Sequence, residues 1–429
     1  MTENQVACGD FYDVHLPHVP LFVLSKPEYA KHVLVTHNKK YRKSFAYEFL
    51  RHPLGNGLLT SEGDFWLKQR RIAQPAFHRE RLSALASTIA ETTEEMLREW
   101  EEYAYQHEAF NATHDLMRLT SRVVARALFG SDVVEVASDI VAHINIINQH
   151  ITEKVSNPFR LPHGWPTRKN REYRRALQAL DTIVYRIIAD RRRTGKTYHD
   201  LLAMLMDTED VDTGERMSDI QVRDEVVTLF IAGTETSAVA LSWALYLLAR
   251  HPEEAARVHQ EVAQMMPGTP AAEEVASLER TQQVIHETMR LYPPAWIIGR
   301  EAQEDDELDG YFIAQGSQLY ICPYIIHRHP ALWEQPNCFW PDRFAPTQAR
   351  ERHKFAFLPF GGGPRYCIGN HFAMMEMQMV LGLIVKRFDI KLAEDIEVLP
   401  EPLISLRPRG GVRLCLMSRE ANSGEISIG

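Results

Sequence analysis

The chain has no CxxC pair, and its five cysteines, Cys8, Cys322, Cys338, Cys367 and Cys415, are scattered over 429 residues. That spacing excludes a zinc ribbon and a thioredoxin-like redox pair. An odd, sparse set also argues against a disulfide framework and suits a reducing compartment. Basic residues are in deficit. The 48 Lys and Arg stand against 57 Asp and Glu, a formal net charge of -9, which disfavours a nucleic-acid partner. Long apolar runs are missing too. The first twenty residues include Glu3, Asp10, Asp13 and His15, so they read as neither a signal peptide nor a membrane anchor. The most apolar stretch, 238–249, is shorter than the roughly 20 residues a spanning helix needs. It follows Gly233-Thr234-Glu235-Thr236 and reads as part of a buried helix. No transmembrane anchor is expected, and the expected location is cytoplasmic. No internal repeat, low-complexity tract or linker divides the chain.

What remains is ordinary globular composition, 45% hydrophobic and 24% charged, in a chain long enough to bury a core and still enclose a cavity. Strand, turn and strand are expected over Phe11 to Leu16 and Leu21 to Leu24, and a helix begins beyond Lys26-Pro27. From there to about Leu291 apolar residues recur at helical spacing. Loops punctuate this region at Pro53 to Gly57, Asn157 to Trp165 and Asp207 to Glu215. Residues 296 to 325 alternate like strands, with turns at Asp309-Gly310 and Gln315-Gly316. One more helix is expected from near Ile368 to Phe388, then a hairpin over Pro402 to Met417 around Pro408-Arg409-Gly410-Gly411. The fold class is mostly α (α+β), with a small strand-rich part. The whole chain, 1–429, is expected to form a single domain, with 418–429 a flexible tail.

The strongest motif is Phe360-Gly361-Gly362-Gly363-Pro364-Arg365-Tyr366-Cys367-Ile368-Gly369. Glycines let the backbone approach something flat and bulky. Cys367 precedes a helix, where backbone N–H groups and the helix dipole favour a thiolate. Such a thiolate is a good iron ligand, and Arg365 can reach an anionic group beside it. The simpler alternative is a glycine-rich turn ahead of a buried structural cysteine. A phosphate loop is excluded because GxxxxGK[ST] is absent. Upstream, Glu287 and Arg290 stand one helical turn apart. His286-Glu287 starts a zinc-protease HExxH, but position 290 is Arg, so that reading fails. Ala232 to Ser237 lies within a helical pattern from about Ser218 to Arg250. A glycine followed by hydroxyl residues weakens a helix locally, and an acid beside an alcohol can relay protons. Read alone, the segment is helix core with a stray acid. Trp66 and Arg70, four apart, can meet one anionic group, or can be plain core packing and a solvated basic face.

The loop matches the haem-binding loop of the cytochrome P-450 superfamily at Phe360, Gly363, Arg365, Cys367 and Gly369, and the chain resembles a soluble, bacterial-type member from about Gly9 onward. The resemblance implies a long central helix lying over haem b, with Cys367 as axial ligand to the iron. It implies that Phe360, Gly361, Arg365, Gly369, Ala232 and Gly233 line the cofactor, and that Trp66, Arg70, Arg300 and Arg365 meet its propionates. Glu287 and Arg290 then form a buried pair completed by Arg343 of Pro341-Asp342-Arg343-Phe344. Glu235 and Thr236 become the acid–alcohol pair that delivers protons. The implied reaction inserts one atom of O2 into a hydrophobic substrate: a fatty acid, terpenoid, steroid or carotenoid. Phe230, Ala232, Trp296, Ile297 and Ile404 are the implied pocket walls. Electrons come from a ferredoxin or flavodoxin with its NAD(P)H reductase, and Lys68, Arg71, Arg79 and Arg81 offer a basic docking face. A haem sensor or carrier, and an isomerase or peroxygenase, are rival readings that the Glu235-Thr236 pair disfavours. Family members usually carry several tens more residues before the first strand, so either the start is trimmed or the channel mouth is open.

Overall fold

The computed structural model describes residues 7–14, 19–130, 134–156, 164–194, 196, 198, 200–266, 268, 270–350 and 352–419. Its longer helices include α1 (Gly63–Ala73), α2 (Ala112–Phe129), α3 (Val134–Ser156), α4 (Arg168–Thr194), α5 (Asp219–Arg250), α6 (Pro252–Met265), α7 (Glu279–Leu291) and α8 (Asn370–Arg387). By contacts the chain divides into two compact units. One comprises 1–46, 93–116 and 239–429, and the other 47–92 and 117–238.

The first unit holds the strands. β1 (Phe11–Asp13), β2 (Leu21–Leu24), β3 (Tyr41–Lys43), β5 (Ile298–Ala302) and β8 (Gln318–Ile321) form a sheet in the order β1-β2-β8-β5-β3. Only β2 and β8 run parallel, with Leu21 opposite Gln318 and Leu24 opposite Ile321. The remaining pairs are antiparallel. Leu24, Leu319 and Ile321 are fully buried and pack with Ala30, Val33 and Leu34 from the segment after β2. The hairpin of β6 (Asp306–Leu308) and β7 (Tyr311–Ile313) turns at Asp309 and Gly310, whose φ values are 53° and 82°, as the Asp-Gly pair led us to expect. β3 and the short β4 (Phe110–Asn111) fall inside the stretch expected to be helical. Each has only two or three residues, and each is stabilised by a partner far away in sequence rather than by its own periodicity.

The expected hairpin over Pro402 to Met417 is corrected. β11 (Leu406–Pro408) pairs with β10 (Pro400–Pro402), whereas β12 (Arg413–Ser418) pairs with β9 (Phe388–Leu392) and β4. The turn at Gly410-Gly411 links two different sheets. Ser418, assigned to a flexible tail, pairs with Phe388, and Arg419 forms an ion pair with Asp389 at 2.5 Å. Residues 420–429 lie outside the described residues, as does most of the expected loop at Asn157 to Trp165.

The second unit is helical, with α3 and α4 packed on each other. His150 of α3 stacks on Tyr173 of α4 at 4.2 Å. The expected loop near Pro53 begins two residues later, because Pro53 and Leu54 close a helical turn. Gly55 takes a φ of 59°. The N–H of Asn56 then donates to the Asp224 carboxylate at 2.7 Å, and that of Leu58 to Glu225 at 3.1 Å. A Cβ on Gly57 would lie 2.2 Å from the Thr228 hydroxyl, so a glycine lets this loop dock on α5. α5 is the one described helix long and apolar enough to cross a membrane. Of its most apolar window 72% is buried inside the protein, as in a core helix.

Candidate active site

In the strand-bearing unit the cysteine loop is shaped by its glycines. Gly361 and Gly363 have φ values of 74° and 69°. A Cβ on Gly363 would sit 1.9 Å from the Leu34 carbonyl oxygen, so no other residue fits there. The turn brings the Cys367 N–H to the Phe360 carbonyl at 3.1 Å and the Tyr366 N–H to Gly363 at 3.0 Å. The Cys367 side chain is exposed three residues before α8 begins, the setting that favours a thiolate. Arg365 is half-buried beside it in sequence, and Gly369 caps α8. Arg300 on β5 is half-buried and donates one N–H to its neighbour's carbonyl, Gly299, at 2.8 Å, which keeps the guanidinium close to the strand.

Behind this loop lies a buried ionic network. Glu287 and Arg290 are both 0% exposed. Arg290 donates from Nε and Nη2 to the two Glu287 oxygens at 2.7 and 2.8 Å. Arg343 donates to Glu287 Oε1 at 3.1 Å, and the Trp340 N–H to the same oxygen at 2.8 Å. The other guanidinium N–H groups go to backbone carbonyls: Arg290 to His327, Pro336 and Cys338, and Arg343 to Glu334 and Gln335. Two cations on one buried carboxylate are tolerable because such carbonyls absorb the second charge. Nearby, burial assisted by Arg352 pushes the His286 pKa down to about 4, so that ring is neutral.

Three of the expected pocket residues also belong to this unit. Trp296 and Ile297 are half-buried and Ile404 is 36% exposed. The Trp296 indole N–H donates to the Leu403 carbonyl at 2.9 Å, fixing the ring against the segment that carries Ile404. Sequence spacing gave no hint of this contact across more than a hundred residues.

In the helical unit α5 runs unbroken through Ala232 to Ser237. The hydroxyls do not open it. Thr234 donates back to Phe230 O and Thr236 to Ala232 O, both at 2.8 Å. Phe230 and Thr234 share a buried face, whereas Ala232 and Thr236 share an exposed one. Glu235 is buried at 5% exposure. The acid and the alcohol are thus neighbours in sequence that differ in burial. Gly233 is needed for packing, because a Cβ there would come within 3.1 Å of Val124 on α2. Trp66 and Arg70 are half-buried one turn apart on α1.

Two of the four cations of the expected basic docking face are paired with acids, and the side chain of Arg79 lies outside the described residues. Lys68 pairs with Glu215, while Arg71 is held by Asp210 at 2.8 Å and Asp212 at 2.9 Å. Arg71 holds the Asp210 carboxyl well below the usual carboxylate range. These acids lie in the loop after Asp207, so they are invisible to any reading of α1 alone. Arg81 is exposed.

An exposed thiol at a glycine-lined turn, with half-buried Arg300 and Arg365 in the same unit, fits a planar, iron-bearing, dianionic cofactor. A β-carbon at Gly361 would meet nothing nearer than Ile298 at 3.9 Å, so bulk is kept off that face of the loop.

Comparison with known proteins agrees. The family model described as Cytochrome P450 matches residues 1–416. The chain is 35% identical to "Cyclooctatin synthase" of Streptomyces melanosporofaciens, over 93% of this chain and 87% of that one. It is 33% identical to "Cyclooctat-9-en-7-ol 5-monooxygenase" of the same organism, over 90% and 83%. The crystal structure of the cytochrome P450DA heme domain superposes with a TM-score of 0.88 at 26% identity, covering 97% of this chain and 91% of that one. The chain therefore belongs to the cytochrome P450 family, and is a haem-dependent monooxygenase that inserts one oxygen atom from O2 into a hydrophobic organic substrate with electrons from an external redox partner.

Proposed function

We propose that the Cys367 thiolate would hold the iron of haem b, that Trp66, Arg70, Arg300 and Arg365 would meet the cofactor's carboxylates, and that Phe360, Gly361, Gly369, Ala232 and Gly233 would line it. The exposed Cys367 thiol at a turn only glycine can make carries this assignment. Haem, when bound, supplies the one-electron and O2 chemistry. Cys367 would hold that iron, and its thiolate would supply electron density. The Thr236 hydroxyl spends its proton on Ala232 O, so its lone pairs are free to receive a hydrogen bond from water. Thr236 therefore orients a water, and Glu235, held in the protein interior, feeds it protons. Glu287, Arg290 and Arg343 do no chemistry and hold the core behind the loop.

The whole chain, 1–429, acts as one haem-thiolate monooxygenase domain, a reading supported by the span of the family match. The substrate is a hydrocarbon-rich terpenoid, ahead of a fatty acid, steroid or carotenoid. One relative whose name carries an "-en-ol" skeleton and a synthase of the matching name support that order. Ala232, Trp296, Ile297 and Ile404 form the apolar walls, while Phe230, expected among them, sits on the buried face of α5 and acts as packing rather than wall. A ferredoxin or flavodoxin with its NAD(P)H reductase supplies electrons, and the protein works in the cytoplasm. A panel of terpenoids and fatty acids, scored by the shift in the haem spectrum on binding and then by product, tests the substrate. Binding confined to small, highly charged compounds would refute it.

A further inference from the structure

We infer that His327 is a positioning residue for the thiolate loop, its neutral ring tying the backbone that carries Cys367 to the Glu287–Arg290–Arg343 network. The inference rests on the haem-thiolate reading of Cys367.

His327 follows a short helical turn, Pro323–Ile326, and is 0% exposed. It is held on three sides. Its N–H donates to the Pro323 carbonyl at 2.8 Å. Its carbonyl accepts from Arg290 Nη1 at 2.8 Å, which makes its backbone part of the ionic network. Its ring nitrogen Nε2 lies 2.8 Å from the N–H of Leu358. An amide N–H only donates, so Nε2 is the bare nitrogen and the ring proton sits on Nδ1. Burial, reinforced by Arg290 and Arg328, pushes the ring pKa down to about 3, against the opposing pull of the Met289 and Arg290 carbonyls. The ring stays neutral wherever the protein is folded near neutral pH, and a neutral ring is what the contact needs.

Leu358 is where the cysteine loop leaves the core. It is 3% exposed, and its carbonyl accepts the Gly361 N–H at 3.2 Å. Two residues on, the Phe360 carbonyl accepts the Cys367 N–H at 3.1 Å. Both amide groups of Leu358 are therefore engaged, one by the loop and the other by His327. A short series of hydrogen bonds runs from Glu287 through Arg290 to the His327 backbone, across its ring to Leu358, and on to the loop. The simpler alternative is that His327 only fills space beside Phe357, whose ring lies 5.2 Å away. Any side chain of similar volume would then serve equally well.

Three variants of the full-length, haem-loaded protein separate the two. H327F keeps the bulk and removes the acceptor. H327N keeps an amide too short to reach Leu358. H327Q places a carbonyl near the position of Nε2. Amide hydrogen exchange over 358–361 is followed alongside the red-shifted Soret band of the reduced, carbon monoxide-bound protein through a urea series. H327F and H327N should raise exchange over 358–361 by about tenfold, the size expected for one lost hydrogen bond. They should also lose the red-shifted band at urea concentrations where helical circular dichroism is intact, and H327Q should restore both properties. Wild-type exchange in H327F and H327N, with the band lost only on global unfolding, would overturn the inference, as would H327Q failing as badly as H327F. If H327F does not fold, H327N against H327Q decides the matter. Absence of the red-shifted band in the wild type would refute the thiolate reading separately, while exchange over 358–361 still decides the role of His327.

Discussion

Two regions of the molecule are built on opposite principles. Around Glu287, four hydrogen bonds converge on one buried carboxylate, and the glycine loop beside it leaves room for no other residue at Gly363. On α5 the neighbouring acid and alcohol differ: Thr236 is exposed and, among the described residues, bonds to the Ala232 carbonyl of its own helix, whereas Glu235 is buried. The proposed ligand loop needs to be fixed before any reaction begins, and redundant structural supports suit that need. The proposed proton delivery needs a hydroxyl that can exchange partners with water, and the exposure of Thr236 suits that role. Substitutions in the first region should cost folding, and substitutions in the second should cost chemistry alone.

The sharpest break is Glu287→Ala. It leaves Arg290 and Arg343 as buried cations without their carboxylate, and stability should fall by about 3–5 kcal/mol. Urea unfolding and haem content measure it, and near-normal values for both would remove the contrast. Acid comes next. His286 and His327 have pKa values depressed to about 4 and about 3, chiefly by burial. Below the unfolded-state pKa of about 6.5 the unfolded chain takes up protons that the folded one refuses, so stability should drop as pH falls from about 6.5 towards 4. Each histidine contributes up to about 1.4 kcal/mol per pH unit over that window. Unfolding free energies at a series of pH values check this, and a flat profile would contradict it. Gly363→Ala should cost about 1–3 kcal/mol, from its positive φ and the Leu34 carbonyl, and should disturb haem binding.

Thr236→Ala tests the other side. The hydroxyl is exposed, so stability should change by less than about 0.5 kcal/mol. Haem binding should be intact, while NAD(P)H consumption diverts to hydrogen peroxide. Product and peroxide per NAD(P)H measure it, and unchanged coupling would reduce the motif to helix core. The smallest effect belongs to Lys68→Ala, an exposed pair worth about 0.2–1 kcal/mol. Because Glu215 already cancels that charge, the salt dependence of first-electron transfer should not change.

What the sequence made legible was local. The Phe360 to Gly369 loop, the Glu287–Arg290 spacing and the extent of α5 are set by residues close in sequence, and the structure places each within a residue or two of its expected position. What escaped depends on distant partners. The Lys68–Glu215 pair joins residues 147 apart in the chain, and the Leu358–His327 bond joins a backbone amide to a ring that carries no motif of its own. The supposed hairpin near Gly410-Gly411 failed for the same reason, since a turn signal does not say which strands flank it. The burial difference between Glu235 and Thr236 is a matter of helix rotation against neighbours, which a four-residue motif does not encode.

The most direct test of the account is the spectrum of the reduced, carbon monoxide-bound protein, wild type against Cys367→Ala. The account predicts the red-shifted Soret band of a thiolate ligand in the wild type, and its loss, or the loss of haem altogether, in the variant. The same red-shifted band persisting in Cys367→Ala would contradict it.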